Sequence, residues 1–147
     1  MPSPAGLGAL PPWARELLER ARVAHLGLLD PSDHPRVLPV TFAIAGDGIW
    51  SAVDRKPKRD PARELARVRY LRRDPRACLT VDRYAEEWDQ LAWVQVLGRV
   101  AIVAAPEAPE ALAALAAKYE PYRSEAPPGP LLRLAPARCL WWRAAPP

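Results

Sequence analysis

Apolar and polar positions along the chain define its elements. From Val37 to Ile44 the residues Leu38, Val40, Phe42 and Ile44 alternate with Val37, Pro39, Thr41 and Ala43. Both sets are largely apolar, which predicts one strand buried on one face and covered on the other. Gly46-Asp47-Gly48 tolerates positive φ and predicts a short hairpin that returns as a strand over Ile49–Val53. Further strands are predicted over Val23–Leu29, Arg76–Tyr84, Leu91–Val103 and Leu131–Arg143. In Leu91–Val103, Val94, Val96, Val100 and Ile102 share a face with Gly98, and Trp93, Gln95, Leu97, Arg99 and Ala101 share the other. Pro136 interrupts the last strand, so that strand should be an edge or carry a bulge.

Helical spacing appears three times. Trp13, Leu17 and Ala21 form a stripe over Trp13–Arg22, with Pro12 placed for the first turn. Leu65, Val68 and Leu71 form a second, for which Asp60 is the expected cap and Asp74-Pro75 the stop. Glu107–Tyr119 is the third, with Leu112, Leu115 and Tyr119 as its buried stripe. Met1–Leu10 is rich in Pro, Gly and Ala and is expected to be loose, and Pro121–Pro130 to be a loop. The order helix, three strands, helix, two strands, helix, strand describes a mainly β chain: a small antiparallel barrel with helices at its edges, one domain over 1–147.

Composition narrows the function classes. No apolar run approaches the ~20 residues of a membrane helix, and the N-terminus has no charged region followed by an apolar one, so a soluble, cytoplasmic protein without membrane contact is expected. Cys78 and Cys139 sit in strand-like apolar runs without CxxC spacing, and read as small core residues. His25, alone in an apolar strand, reads as a core histidine and His34 as an exposed turn residue. No His, Cys or carboxylate set has metal-ligand or triad spacing, so no metal and no catalytic base is assigned.

Charge is concentrated. The net charge is +4, yet Arg55–Arg76 holds ten of the 21 basic residues against three acids, leaving the remainder of the chain at −3. Such a patch on a slightly acidic body favours a localised anionic ligand over a wide nucleic-acid surface. Only Tyr70 interleaves the basic run, which argues against stacked single strands. The stretch Pro35–Arg59, two strands running into Arg55, Lys56, Lys58 and Arg59, reads as a binding site for a planar, phosphate-bearing molecule. A helix starting beside those cations would add its positive end to the pull on a phosphate.

The run Arg36-Val37-Leu38-Pro39-Val40-Thr41, the hairpin to Trp50-Ser51-Ala52, the loop Lys56-Pro57-Lys58-Arg59, the segment Arg73-Asp74-Pro75-Arg76 and the strand VQVLGRV resemble the split β-barrel proteins of the pyridoxamine 5′-phosphate oxidase-like class. More narrowly they resemble its branch that binds the deazaflavin coenzyme F420. The resemblance covers about residues 20 to 143 and implies an FMN-binding-like antiparallel split β-barrel with flanking helices.

Carried over by position, the resemblance implies a tricyclic ring against Leu38, Pro39, Val40 and Thr41 and against Trp50, Ser51 and Ala52. It places the phosphate at Lys58, with Lys56, Pro57 and Arg59 nearby and Arg36 helping to hold it. Trp93 stands where flavin-binding relatives often carry a glutamine that reaches the cofactor across a dimer, and Thr41 where many carry a lysine. Both departures count against tightly held FMN, and the extra cations better match a coenzyme bearing a phosphate and a polyglutamate tail. The resemblance implies hydride transfer from reduced F420 to an activated double bond or quinone-like small-molecule substrate, with Tyr84 and Trp88 as candidates for the substrate side. The alternative is an FMN-, haem- or F420-binding carrier without turnover. A homodimer with a cofactor in each of two interfacial clefts is expected, because a chain of this size encloses a large coenzyme poorly and its long strand offers Trp93, Gln95 and Arg99 to a partner.

Overall fold

The computed structural model describes residues 6–53 and 65–144. Residues 7–9 form a 3₁₀ turn, and Leu7 and Leu10 are buried, so the expected loose N-terminal stretch is packed from Leu7 onward. Helix α1 (Pro12–Arg20) follows, then strands β1 (Ala24–Leu29), β2 (Pro35–Val40), β3 (Phe42–Ala45) and β4 (Gly48–Ala52). Helix α2 (Ala66–Arg73), strands β5 (Arg76–Arg83) and β6 (Ala92–Val103), helices α3 (Pro109–Lys118) and α4 (Pro121–Ser124), and strand β7 (Leu131–Arg143) complete the chain.

The seven strands form one sheet in the order β2-β1-β5-β6-β7-β4-β3, antiparallel throughout. The stretch expected as a single strand is therefore two. It breaks at Thr41, and its halves lie on opposite edges of the sheet, β2 beside β1 and β3 beside β4. Val40 and Phe42 are both buried in one core, whereas strict alternation across Thr41 in one flat strand would already place them on one face; it is the pairing that differs, because each half finds its own partner. A sheet whose first and last strands are consecutive in sequence must curl until its edges approach.

The curl creates two cores. Leu26, Leu28, Val40, Phe42, Ile49, Leu79, Val81, Val94, Val96, Val100, Leu132 and Leu134 fill the concave side, closed by Leu18 of α1 and by Val68 and Leu71 of α2. On the convex side α3 covers only β3, β4 and the start of β7: Ala111 and Leu115 pack on Ala43, Ala52 and Leu131, and Tyr119 closes the end. Leu112 is only partly buried, so Ala111 takes the place expected for it. Helix α3 begins at Pro109, and Glu107 belongs to a preceding 3₁₀ turn.

Two residues fix local geometry. Gly46 takes φ 61° at the first position of the two-residue β3–β4 turn, as a tight hairpin requires. Gly98 lies at the irregularity where β6 meets Pro136 of β7, and a Cβ there would stand 2.0 Å from the Ala135 carbonyl oxygen. Pro136 thus sits at a bulge in a central strand, one of the two placements its sequence allowed.

The remaining convex face is uncovered. Val37 is 69% exposed and Pro39 is exposed, so the second face of β2 has no cover among the described residues. His25, expected in the core, is exposed on the same side, since β1 alternates and Ala24, Leu26 and Leu28 take the interior. Cys139 is buried as expected; Cys78, on the convex side of β5, is only half-buried. Among the described residues no helix is long and apolar enough to cross a membrane.

Gly98→Ala should destabilise the fold by about 3 kcal/mol or more, because backbone must move to admit the methyl group. A denaturant melt with an unchanged midpoint would show that the bulge is not a close approach.

Candidate functional site

Arg36, near the start of edge strand β2, lines a cavity of about 240 Å³ with Leu28, Val37 and Leu38 on the sheet side and Leu65, Ala66, Arg67 and Tyr70 on the helix side. The cavity exists because α2 lies across β1 and β6 and its first turn meets the edge of the sheet. Leu65 has extended backbone, and the helix starts at Ala66 without a side-chain cap. The expected start beside Asp60 is therefore replaced by one at Ala66; Asp60 itself lies outside the described residues. Opening amides of a helix have no acceptor within it, so this wall offers N–H donors and a positive dipole end. Arg36 is more than half exposed and stands 3.8 Å from Asp30, a spacing too long for a hydrogen bond. Asp30 is otherwise occupied: its carboxylate accepts from the amides of Ser32 and His34, chiefly the latter, which hold its pKa down.

The chemistry this cavity offers is anion recognition at an apolar rim. Arg36 supplies a fork of donors, the first turn of α2 supplies amides, and Leu28, Leu38 and Leu65 supply contact for a carbon chain. The volume suits a phosphate with a short linker. In sequence, the run Lys56, Pro57, Lys58 and Arg59 ends six residues before Leu65, and all four lie outside the described residues.

The second end of β2 is built differently. Thr41 Oγ1 and the Tyr122 hydroxyl lie 2.8 Å apart, and Ser51 Oγ donates to the Thr41 carbonyl at 2.8 Å. The Tyr119 hydroxyl accepts from the Phe42 amide at 3.1 Å and donates to the Arg22 carbonyl at 2.8 Å, with the Phe42 carbonyl also in reach. Tyr119 and Tyr122, brought here from α3 and α4, have no counterpart in the sequence reading of the site. Their only linear signal is a pair of tyrosines spaced by three residues at a helix end.

Structure brings some expected residues together and separates others. Leu38 and Arg36 share the cavity, and the Ser51–Thr41 bond joins the two expected ring walls. Ser51 and Ala52, however, do not face an open cleft. Ser51 is buried on the concave side, and Ala52 is 4% exposed beneath α3, so its small size serves helix packing. Trp50 is half-buried on the α3 side, its indole N–H donating to the Ala45 carbonyl at 3.3 Å. Trp93 lies on the uncovered convex face opposite Trp142 and Asp82. Tyr84 and Trp88 are both about two-thirds exposed or more, at 68% and 70%.

These features belong to a recognisable class. A model of the family described as pyridoxamine 5′-phosphate oxidase matches residues 10–143, and the chain belongs to that family. Its sheet is the split barrel of that class. A conserved hypothetical protein of Mycobacterium tuberculosis superposes with a TM-score of 0.70 at 20% identity, over 88% of this chain and 81% of the other. A haem-binding protein of Mycobacterium smegmatis gives a TM-score of 0.70 at 21% identity, over 88% of this chain but 52% of that one. A protein described as an F420 reductase gives 0.64 at 21% identity, over 89% and 98%. No curated protein matches the sequence.

One further group is unusual. Lys118 Nζ, at the end of α3, is buried without a hydrogen-bond partner and lies 3.7 Å from the Phe42 ring centroid. Desolvation first, and then repulsion from Arg22, push its pKa down to about 8 from an ordinary 10.5. The folded state therefore releases this proton before the unfolded state does, and stability should rise with pH between about 8 and 10.5. Lys118→Met should remove that rise and stabilise the protein at neutral pH by about 1 kcal/mol, allowing for partial exposure and the lost ring contact; thermal melts across that pH window read both effects. Ala52→Leu should cost about 1 to 3 kcal/mol by overpacking against α3, and a neutral result in the same melts would mean that the β4–α3 contact is open.

Proposed function

We propose that the protein is an F420-dependent oxidoreductase. Arg36 and the first turn of α2 take the coenzyme's phosphate together with Lys56, Lys58 and Arg59, and the ring lies along β2 from Leu38 to Thr41. The single observation that carries this reading is the cavity that joins Arg36, Leu38 and the start of α2. Membership of the pyridoxamine 5′-phosphate oxidase family and likeness in fold to an F420 reductase support it. Concentration of cations in one segment suits a coenzyme that carries both a phosphate and an acidic tail better than it suits FMN.

When bound, reduced F420 supplies a hydride to an activated double bond or quinone-like acceptor. This chain's contribution is orientation and exclusion of water. Among the described residues Val37 and Pro39 are uncovered, so the cleft is completed in this reading by a second copy docked on the convex face, where Trp93 pairs with Trp142 and Gln95 with Leu140. A homodimer with two clefts follows.

A second reading, a carrier of FMN, haem or F420 without turnover, is favoured by one observation. Hydroxyls of Thr41, Ser51 and Tyr119 are all engaged in holding the β2–β3 junction. Titration with F420, FMN and haem, followed by oxidation of reduced F420 against quinones and conjugated enones, separates the two. Arg36→Ala and Lys58→Ala should each weaken F420 binding by roughly 10- to 100-fold, and Arg72→Ala should change it little. Equal affinity of Lys58→Ala and wild type would remove the phosphate assignment, and tight binding with no oxidation above the enzyme-free rate would favour the carrier.

A further inference from the structure

We propose that Arg22 and Lys118 form the cationic half of a binding site for a small oxyanion, a carboxylate or a phosphate, where β2 passes into β3. This lies at the opposite end of β2 from Arg36, roughly 16 Å away along the strand, and is separate from the cavity assigned to the coenzyme phosphate.

Lys118 Nζ is 5.4 Å from the Tyr119 ring centroid, and Arg22 Cζ is 4.7 Å from the same centroid. Two cations thus converge on one tyrosine and repel each other. Contacts with the rings of Phe42 and Tyr119 attract the ammonium but leave its three N–H donors without an acceptor. Buried charge is ordinarily paired, and a buried donor without a partner calls for an explanation.

Among the described residues, no side chain facing Lys118 supplies the missing charge. From α1, Glu19 attracts it but is hydrogen-bonded by Arg15 at 2.6 Å. From α3, Tyr119 has committed its hydroxyl to backbone groups of β3 and Arg22. Strand β3 contributes the uncharged Phe42, and Arg123 of α4 is held by the carbonyls of Ala116 and Ala117. An external oxyanion fits the deficit. Arg22 is exposed, and its planar fork can swing onto two oxygens of a ligand while the ammonium supplies a point charge behind it. The sequence has only three lysines, two of them in the cationic run before α2 and the third at 118.

Beside the junction lies the Thr41–Tyr122 hydroxyl pair, so an oxyanion here would sit where β2 ends. If the reductase reading holds, this would be the charged group of the substrate. The test needs no cofactor, so the two readings fail separately.

Carbon-13 NMR of the lysine Cε groups in cofactor-free protein gives three signals, and Lys118→Met identifies the one required. The protein is titrated from neutral to alkaline pH in sodium acetate, in inorganic phosphate and in sodium chloride of matched ionic strength. Acetate or phosphate should raise the Lys118 pKa by about one pH unit, saturably, and Arg22→Ala should raise the concentration needed at least tenfold. A response to acetate alone assigns a carboxylate, and to phosphate alone a phosphate. An identical Lys118 titration in all three salts, or a response that Arg22→Ala leaves unchanged, overturns the proposal.

Discussion

Everything in this molecule depends on the chain's passage through Thr41. One residue separates the two outermost strands of a seven-stranded sheet, so the sheet cannot be flat, and the edges must come round to within a single residue of each other. Backbone groups at that junction have no regular ladder to join, and unpaired they would each cost on the order of 1 to 3 kcal/mol. Side chains take them instead. Ser51 bonds the Thr41 carbonyl, and Tyr119 bonds the Phe42 amide from the far side of the sheet, so β4 and α3 both close the seam.

Closure of that seam explains where ligand chemistry can lie. The concave side is filled by apolar side chains and sealed by α1 and α2, leaving a cavity of about 10 Å³ at its centre and the larger one beside Arg36 at its β2 edge. The convex side over β3 and β4 is filled by α3. What remains open among the described residues is the edge of β2, the neighbouring convex face of β1, β5, β6 and β7, and a cavity of about 250 Å³ between Trp50 and the start of α3. Arg36 stands near one end of that open edge and the hydroxyls of Thr41 and Tyr122 at the other, a length that matches an extended ligand better than a globular one.

Electrostatics follow the same geometry. Arginines around the sheet pair locally: Arg73 with Asp33, Arg76 with Asp74, Arg133 with Asp47. Such pairs add little stability in water but cancel charge where they stand. Cations without such pairing therefore stand out, and Lys118 does so most strongly because it is buried as well. A bare ammonium inside a protein is costly enough that either its surroundings or a ligand must account for it.

The sequence by itself determined the elements and the class of fold. Period-two and helical patterns located every helix of eight or more residues and the strands β1 and β4 to β7 to within a few residues, except for the start of α2, and the residues from Arg36 to Thr41 carried the family likeness. Those signals are local, set by which side chains alternate and which residues tolerate turns. Only the tertiary structure decided that Pro35–Ala45 is two strands, because a break is legible only when each half's partner is known. It also decided that Ala52 is small for α3 and that His25 faces outward, since a small or lone polar residue looks the same in sequence whichever neighbour it meets. Tyr122 and Lys118 stayed silent in sequence, and Tyr119 showed only as a buried helix position, for the same reason: they lie some 80 residues from Thr41 and Phe42, and only folding brings their polar atoms to that junction.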